Sequence, residues 1–385
     1  MFNRSAVFPP LMVTATLALA SPLAPAPVHA QTLEAFARLP ADTFAPGPTS
    51  GQMITPANGR IPPFEDKQPV QGFSSVLAGP HGDFFVMPDN GFGAKANSAD
   101  YVLRVYRISP DFKTARHGND DDRHHGGGGG GDIRGTGKIS VESFISLRDP
   151  FHKINFPIVA DLDIYPGTAI AVDPQIRARR LLTGGDFDIE SVRVAHDGTL
   201  WFGDEFGPFL LHTDAVGRVL DAPYPLPGVR SPQNPFLGSG TPNLASSKGF
   251  EGMAIAPNGR FLYPLLEGPL TTDPNQSRLI INQFDLKQRR YTGKQWFYRL
   301  EAPMSTGQSI GDMTQVFRAE DLVPGDVIVV ATGVTNGDLL RGVRYLADSA
   351  RTHSLIMCMR CNWVHFTDGI HFFARERREE VRLLI

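Results

Sequence analysis

The residues able to do chemistry concentrate in one stretch, Gly185-Asp186-Phe187-Asp188-Ile189-Glu190-Ser191, followed by Asp197-Gly198-Thr199-Leu200-Trp201-Phe202-Gly203-Asp204-Glu205-Phe206-Gly207-Pro208. Carboxylates flank a short apolar run and a turn, a pattern that suits metal or phosphate chemistry better than a hydrophobic core. The pattern recurs along the chain. Ser74, Glu190 and Glu251 each stand eight residues before a turn glycine, Gly82, Gly198 and Gly259 respectively. After the returning run come Asp89, then Asp204 or Glu205, then Glu267. If the three copies are equivalent units, these positions converge, and carboxylates converge only where a divalent cation or shared protons offset their repulsion. Calcium fits best, since it takes about six to eight oxygen ligands in irregular geometry. A cluster of this kind can bind and polarise a phosphate and activate a water for in-line attack. Arg193 and Lys248, close in sequence to the acidic positions, are candidate phosphate contacts. Any single one of these acids reads equally well as a turn cap or a solvent-facing strand end, but the matched positions of the whole set favour function.

Such positions need hairpins to hold them. In each copy a strand enters, a glycine accepts the positive φ of a tight turn, and a β-rich run returns: Asp83-Phe84-Phe85-Val86, Thr199-Leu200-Trp201-Phe202 and Arg260-Phe261-Leu262-Tyr263. The turn glycines lie 116 and 61 residues apart (Gly82 to Gly198, Gly198 to Gly259). Units of about 60 residues, with a degenerate copy hidden in the first gap, predict a mainly β, propeller-like repeat domain whose inner strands face a central channel. An irregular sandwich with unrelated hairpins is the alternative.

Composition narrows the partners. The chain has 385 residues, 39 glycines, 32 prolines and a net charge of -3. It is long enough for one large domain or two ordinary ones. No window has the roughly 18 uninterrupted apolar residues of a stable membrane span, and no basic surface is implied for nucleic acid. The expected partner is a small molecule, a phosphate ester if the acidic set is catalytic. Residues 1–30 read as a signal peptide, with Arg4 positive, Leu11 to Ala20 apolar and Val28-His29-Ala30 as a small-residue cleavage site, which predicts a secreted or periplasmic protein. The segment His117 to Asp132, with Asp120-Asp121-Asp122, His124-His125 and a glycine run, is expected to be a mobile loop.

Several motifs carry a resemblance. Gly72-Phe73-Ser74, Asp89-Asn90-Gly91-Phe92-Gly93, Asp100 to Tyr106, Asp186 to Ser191, Asp204-Glu205-Phe206-Gly207-Pro208 and Lys248-Gly249-Phe250-Glu251-Gly252 resemble the phytase-like family, also described as having esterase-like activity. The likeness spans about residues 50 to 300 within a domain drawn as 31–302. It implies an exported, propeller-like hydrolase of phosphate or other esters. It also implies a metal and acid/base set in which Glu190, Asp204 and Glu205 are catalytic and Asp89, Asp186, Asp188, Glu251 and Glu267 hold the metal.

From Gly311 the character changes. Gly311 to Leu322, Ala331 to Tyr345 and Arg351 to Leu355 resemble the C-terminal end of class II fructose-1,6-bisphosphatases, particularly the fructose/sedoheptulose bisphosphatase type. Residues 311–385 are thus expected to form a small α/β fragment, with strands at Asp326 to Ala331 and Arg341 to Tyr345 around a turn-rich Thr332 to Asp338. The resemblance implies magnesium or manganese and a cytoplasmic setting, against the export signal. It also implies that the family's own metal ligands lie in an N-terminal portion whose place is taken here by the phytase-like segment. Asp338 and Arg341 are then structural or peripheral, and a gene fusion with its junction near Ala302 to Asp312 reconciles the two halves, leaving a ring without its final blades. Cys358-x-x-Cys361, with His365 and His371 downstream, reads as free thiols, a disulfide or a zinc site. Three functions follow: a metal-dependent phosphoric monoester hydrolase, a sugar bisphosphatase, and a non-catalytic calcium-binding propeller.

Overall fold

The turn chemistry expected from sequence sets the hairpins. Gly198 and Gly259 take φ of 80° and 63°, and Gly82 takes 85°. The carboxylate of Asp197 accepts from the Thr199 N–H at 3.0 Å, and the side-chain oxygen of Asn258 accepts from the Arg260 N–H at 3.0 Å. Each side chain thereby closes its own turn before the return strand begins.

The computed structural model describes residues 35–57, 59–115 and 133–300, with short strands beyond them at 308–310, 313–314, 328–334, 343–346, 357–358, 370–374 and 383–384. All of these belong to the unit Leu33–Ile385. The expected signal peptide and glycine-rich loop lie outside the described residues, as do the side chains of Asp338, Arg341, Cys358, Cys361, His365 and His371.

Three antiparallel meanders make up most of the domain. Strands β1 (Ala35–Leu39), β2 (Phe44–Pro46) and β3 (Lys67–Pro69) lead in. The first meander runs β4 (Phe73–Ala78), β5 (Phe84–Pro88), β6 (Arg104–Asp111), the short β7 (Lys113–Ala115) and β8 (Ile133–Arg134), and β9 (Lys138–Ser146), with spatial order β4-β5-β6-β9 and β1 beside β9. The second has spatial order β10 (Ile189–Val194), β11 (Leu200–Asp204), β12 (Phe209–Thr213), β13 (Tyr224–Pro225). The third has order β14 (Phe250–Ile255), β15 (Phe261–Leu266), β16 (Arg278–Asp285), β17 (Arg290–Arg299). Inner strand β10 packs directly against β4 on one side and β14 on the other.

Apolar side chains fill the spaces between sheets, which is what makes the stack a set of blades. Val192, Phe202 and Leu211 of the second sheet meet Met87, Val105 and Leu103 of the first. Trp201 and Leu210 meet Phe250, Met253 and Phe284 of the third, with Trp201 stacked on His212 at 4.1 Å. Full burial of each large side chain contributes about 1.5–3 kcal/mol. The fold is mainly β and propeller-like.

One expectation fails. No degenerate blade sits in the first gap among the described residues, because β10 lies against β4 and leaves no place for another inner strand. Residues 147–188 fill the gap instead, folded around helix α1 (Pro174–Arg179), whose N-cap Asp173 accepts from the Gln175 N–H at 2.8 Å.

Beyond the third blade, β18 (Gln308–Ile310) and β19 (Met313–Thr314) continue the stack, and buried Ile310 and Met313 join Ala254, Leu265 and Tyr298 in one apolar cluster. Strands β20 (Ile328–Val334) and β21 (Val343–Leu346) pair antiparallel, Val330 opposite Arg344, close to the two strands expected there. Short strands at 357–358, 370–374 and 383–384 follow; 357–358 pairs with β19 and β20, and 370–374 pairs with β1, so the described part of the tail joins the β sheets rather than forming a separate α/β fragment.

Candidate active site

The ladder of every hairpin slips at the same place. The register shifts between Phe73 and Ser75, between Ile189 and Ser191, and between Phe250 and Gly252. The residues skipped are Ser74, Glu190 and Glu251. A bulge leaves its residue outside the ladder and re-aims its side chain, so the repeated position is a repeated backbone irregularity. One step beyond the regular ladder, the N–H groups of Asp89, Glu205 and Glu267 donate to the carbonyls of Gly72, Asp188 and Gly249 at 3.3, 2.9 and 2.8 Å. Glu205, not Asp204, is therefore the counterpart of Asp89 and Glu267. Gly249 permits the close approach of two blades, since a Cβ there would lie 2.5 Å from the Glu205 Cα.

Two trios of carboxylates result. Oxygens of Asp188, Glu190 and Glu205 lie within 4.8 Å of one another, and so do oxygens of Glu205, Glu251 and Glu267. Glu205 belongs to both. It is 4 % exposed, and its Oε1 has no hydrogen-bond partner. A buried carboxylate oxygen without a donor is costly, about 1–3 kcal/mol and more for a charged group, unless a ligand satisfies it. Lys248 Nζ pairs with Glu267 Oε2 at the edge of the second trio.

Other expected site residues are used differently. Asp204 is fully buried, and its two oxygens accept from the N–H groups of Asp188 (2.9 Å) and Gly207 (2.7 Å). It holds the backbone that presents Asp188 and Glu205. Asp186 caps its own turn, accepting from Val159 N at 2.7 Å and from Thr183 N at 2.8 Å, and stands outside both trios. Asp89 is half-buried and accepts from Gly91 N at 2.7 Å, and its charge acts on Glu190. Arg193, 2 % exposed, donates to Ser75 Oγ and to the carbonyls of Val192 and Met313. It ties the inner strands β4, β10 and β19 together.

Two contributors were not singled out from sequence. Asn90 donates its N–H to Asp188 Oδ1 at 3.2 Å, linking the first blade to the second. Lys95 sits over the Phe206 ring at 5.1 Å, and its charge acts on Asp186 and Asp204. Asn90 lies in the Asp89-Asn90-Gly91-Phe92-Gly93 motif and Lys95 two residues beyond it, and that motif was the available signal.

The electrostatics match the crowding. Burial first, then the charges of Glu251, Asp188 and Asp89, push the Glu190 carboxyl well above the usual carboxylate range. Burial, then Glu267, Asp188 and Glu190, do the same to Glu205, with Lys248 acting in the opposite direction. Burial, followed by repulsion from Asp204, raises Asp188 to about 6. Carboxylate oxygens of Glu190 and Asp188 lie within 4.8 Å of each other, a closeness that a shared proton or a cation would relieve. Burial works against the Lys248 charge, but Glu267, Glu205 and Glu251 outweigh it and hold the ammonium above its ordinary value.

Residues 68–323, more than half of the chain, match the family described as phytase-like, esterase-like activity of phytase. The chain belongs to the phytase-like family. Residues 292–371 also match the bacterial fructose-1,6-bisphosphatase family of the glpX-encoded type. Curated relatives of that second segment include a D-fructose 1,6-bisphosphatase class 2/sedoheptulose 1,7-bisphosphatase of Synechococcus sp. (strain JA-3-3Ab), 43 % identical over 77 residues, 20 % of this chain and 22 % of that protein. A Gloeobacter violaceus protein of the same description is 37 % identical over 65 residues, 17 % of this chain and 19 % of that protein. The phytase-like chain spans about a fifth of the length of these relatives. Among solved structures, virginiamycin B lyase from Staphylococcus aureus aligns at 12 % identity and a TM-score of 0.23, over 64 % of this chain and 60 % of that one. The two family matches together support a phosphatase-type hydrolase in general, and the acidic trios are a place where such a protein can hold a divalent metal.

Proposed function

We propose that the protein is a metal-dependent hydrolase of phosphate monoesters, acting where the inner strands of the second and third blades meet. The observation that carries this reading is Glu205, a buried carboxylate with an unpartnered oxygen that belongs to both acidic trios. The donor set fits calcium: it is all oxygen, and within each trio the oxygens lie within 4.8 Å of one another, matching a coordination shell whose diameter is about 4.6–5.2 Å. Asp188, Glu190, Glu205, Glu251 and Glu267 would hold the cation. When bound, it supplies positive charge against the charge that develops on a transferring phosphoryl group.

The chain's own residues do the rest. Glu190, beside Asp188 in the first trio, is placed to exchange a proton with an attacking water or a leaving alkoxide. Lys248 places a second positive charge at the cluster's edge for a phosphate oxygen, and Lys95 offers a further cation on the loop after Asp89. Asp204, Asn90 and Gly249 keep the carboxylates in register. The signal-peptide pattern at Arg4 to Ala30 supports an activity outside the cytoplasm, which fractionation of cells expressing the full chain tests.

Phosphate release from a monoester panel by the purified chain tests the proposal. Turnover is expected to disappear with chelator and with Glu190→Gln, and unchanged turnover in Glu190→Gln refutes it. Residues 292–371 support a second reading as a sugar bisphosphatase. Release of phosphate from fructose 1,6-bisphosphate that survives Glu205→Gln would favour that reading over the first.

A further inference from the structure

The two trios are built from different parts of the molecule. Asp188 and Glu190 come from the entry into β10, Glu251 from the entry into β14, and Glu267 from the end of β15. Glu205, at the end of β11, is common to both groups, so three and three carboxylates make five residues. It is also the member whose Oε1 lies buried with no donor.

Charge sharpens this. Five ionised carboxylates carry a formal -5, and Lys248, paired with Glu267, reduces it to -4. One divalent cation would leave -2 to be met by protons, whereas two divalent cations bring these five carboxylates and Lys248 to neutrality without any. An unbalanced buried charge of that size costs many kcal/mol. Asp204 and Asp186 are not counted as ligands, because their oxygens are met by backbone: Asp204 by Asp188 and Gly207, Asp186 by Val159 and Thr183.

We propose that the cluster is a two-cation centre, with Glu205 as the carboxylate shared between the cations and Lys248 as the charge that completes the balance. The proposal rests on the cation-dependent reading given above and deepens it. The blade 2 trio holds one cation and the blade 2–blade 3 trio the other. Two cations held by these carboxylates would supply the positive charge that a phosphate group needs with little help from arginine.

Calorimetric titration of the chelator-stripped full chain with calcium chloride counts the sites, and terbium luminescence provides an independent count. Two ions per chain are expected for the wild type, and one each for Glu190→Gln and Glu251→Gln. Glu205→Gln is expected to weaken both sites by at least about tenfold, since affinity follows the number of charged ligands. One ion per wild-type chain, or a Glu205→Gln protein that keeps one site at wild-type affinity, overturns the two-cation centre while leaving a single-cation hydrolase intact. No binding to the wild type overturns both. Near-UV circular dichroism checks the fold of each variant. If Glu205→Gln does not fold, the Glu190→Gln and Glu251→Gln counts decide the matter, since a count unchanged at two in either overturns the assignment of the trios.

Discussion

Asp188→Asn separates the cost of the cluster from its use. The Asp188 carboxyl is held at about 6 against an ordinary 3.8. A raised carboxyl favours the fold only while protonated: its contribution is complete below the unfolded value and is lost as pH rises through about 6. The difference is (6 − 3.8) units at 1.36 kcal/mol per unit, about 3 kcal/mol, withdrawn from the metal-free wild type by pH 8. Asparagine carries no such charge, and its side-chain oxygen can still accept from the Asn90 N–H that Asp188 Oδ1 now holds. In excess chelator, Asp188→Asn is therefore expected to be more stable than wild type at pH 8 by up to about 3 kcal/mol, and near-neutral at pH 4. At about 2–4 °C per kcal/mol for a domain of this size, that is a Tm difference of about 6–12 °C at the upper end. Scanning calorimetry of both proteins at both pH values reads it. A variant less stable than wild type by the same margin at both pH values would refute the reasoning, because the carboxyl would then be a structural acceptor whose charge costs nothing.

Other substitutions sort the acidic and basic residues by role. Arg193→Met is expected to lower stability by about 2–4 kcal/mol, through carbonyls and a hydroxyl left unpartnered between inner strands, with the KM for a phosphate ester unchanged; a large rise in KM at full stability would restore it as a substrate contact. Asp186→Asn should cost about 1–3 kcal/mol at the turn it caps and leave calcium binding at the wild-type level, read by denaturant unfolding and titration. Gly249→Ala forces the Glu205 backbone to move, so calcium affinity is expected to fall even though no ligand is removed, and wild-type affinity would show that the close approach of the blades is dispensable. Calcium added to the wild type at pH 8 should raise Tm more than at pH 5, because proton and cation compete for the same carboxyls.

The hairpins were legible because a turn needs glycine where φ is positive and because β-rich runs follow Gly82, Gly198 and Gly259. The fixed spacing from Ser74, Glu190 and Glu251 was legible too, but its cause was not. A bulge leaves no residue signature of its own when the bulged residue is an acid or a serine. The same blindness explains the undecided choice between Asp204 and Glu205, which are adjacent in sequence and separated only by ladder register. Asp186 reads like a ligand because a carboxylate that caps a turn and one that binds a cation have the same chemistry; only the donors at Val159 and Thr183 distinguish them. The hidden fourth blade was inferred from a gap length, and a long excursion around α1 fills length as readily as a sheet does.

Phosphate release in the presence and absence of calcium, measured side by side for folded wild type and folded Glu205→Gln, tests the central claim most directly. The expected result is turnover by the wild type that vanishes on chelation and returns with calcium, and no turnover by Glu205→Gln under any condition. Wild-type turnover in the chelated protein, or in Glu205→Gln, would contradict it.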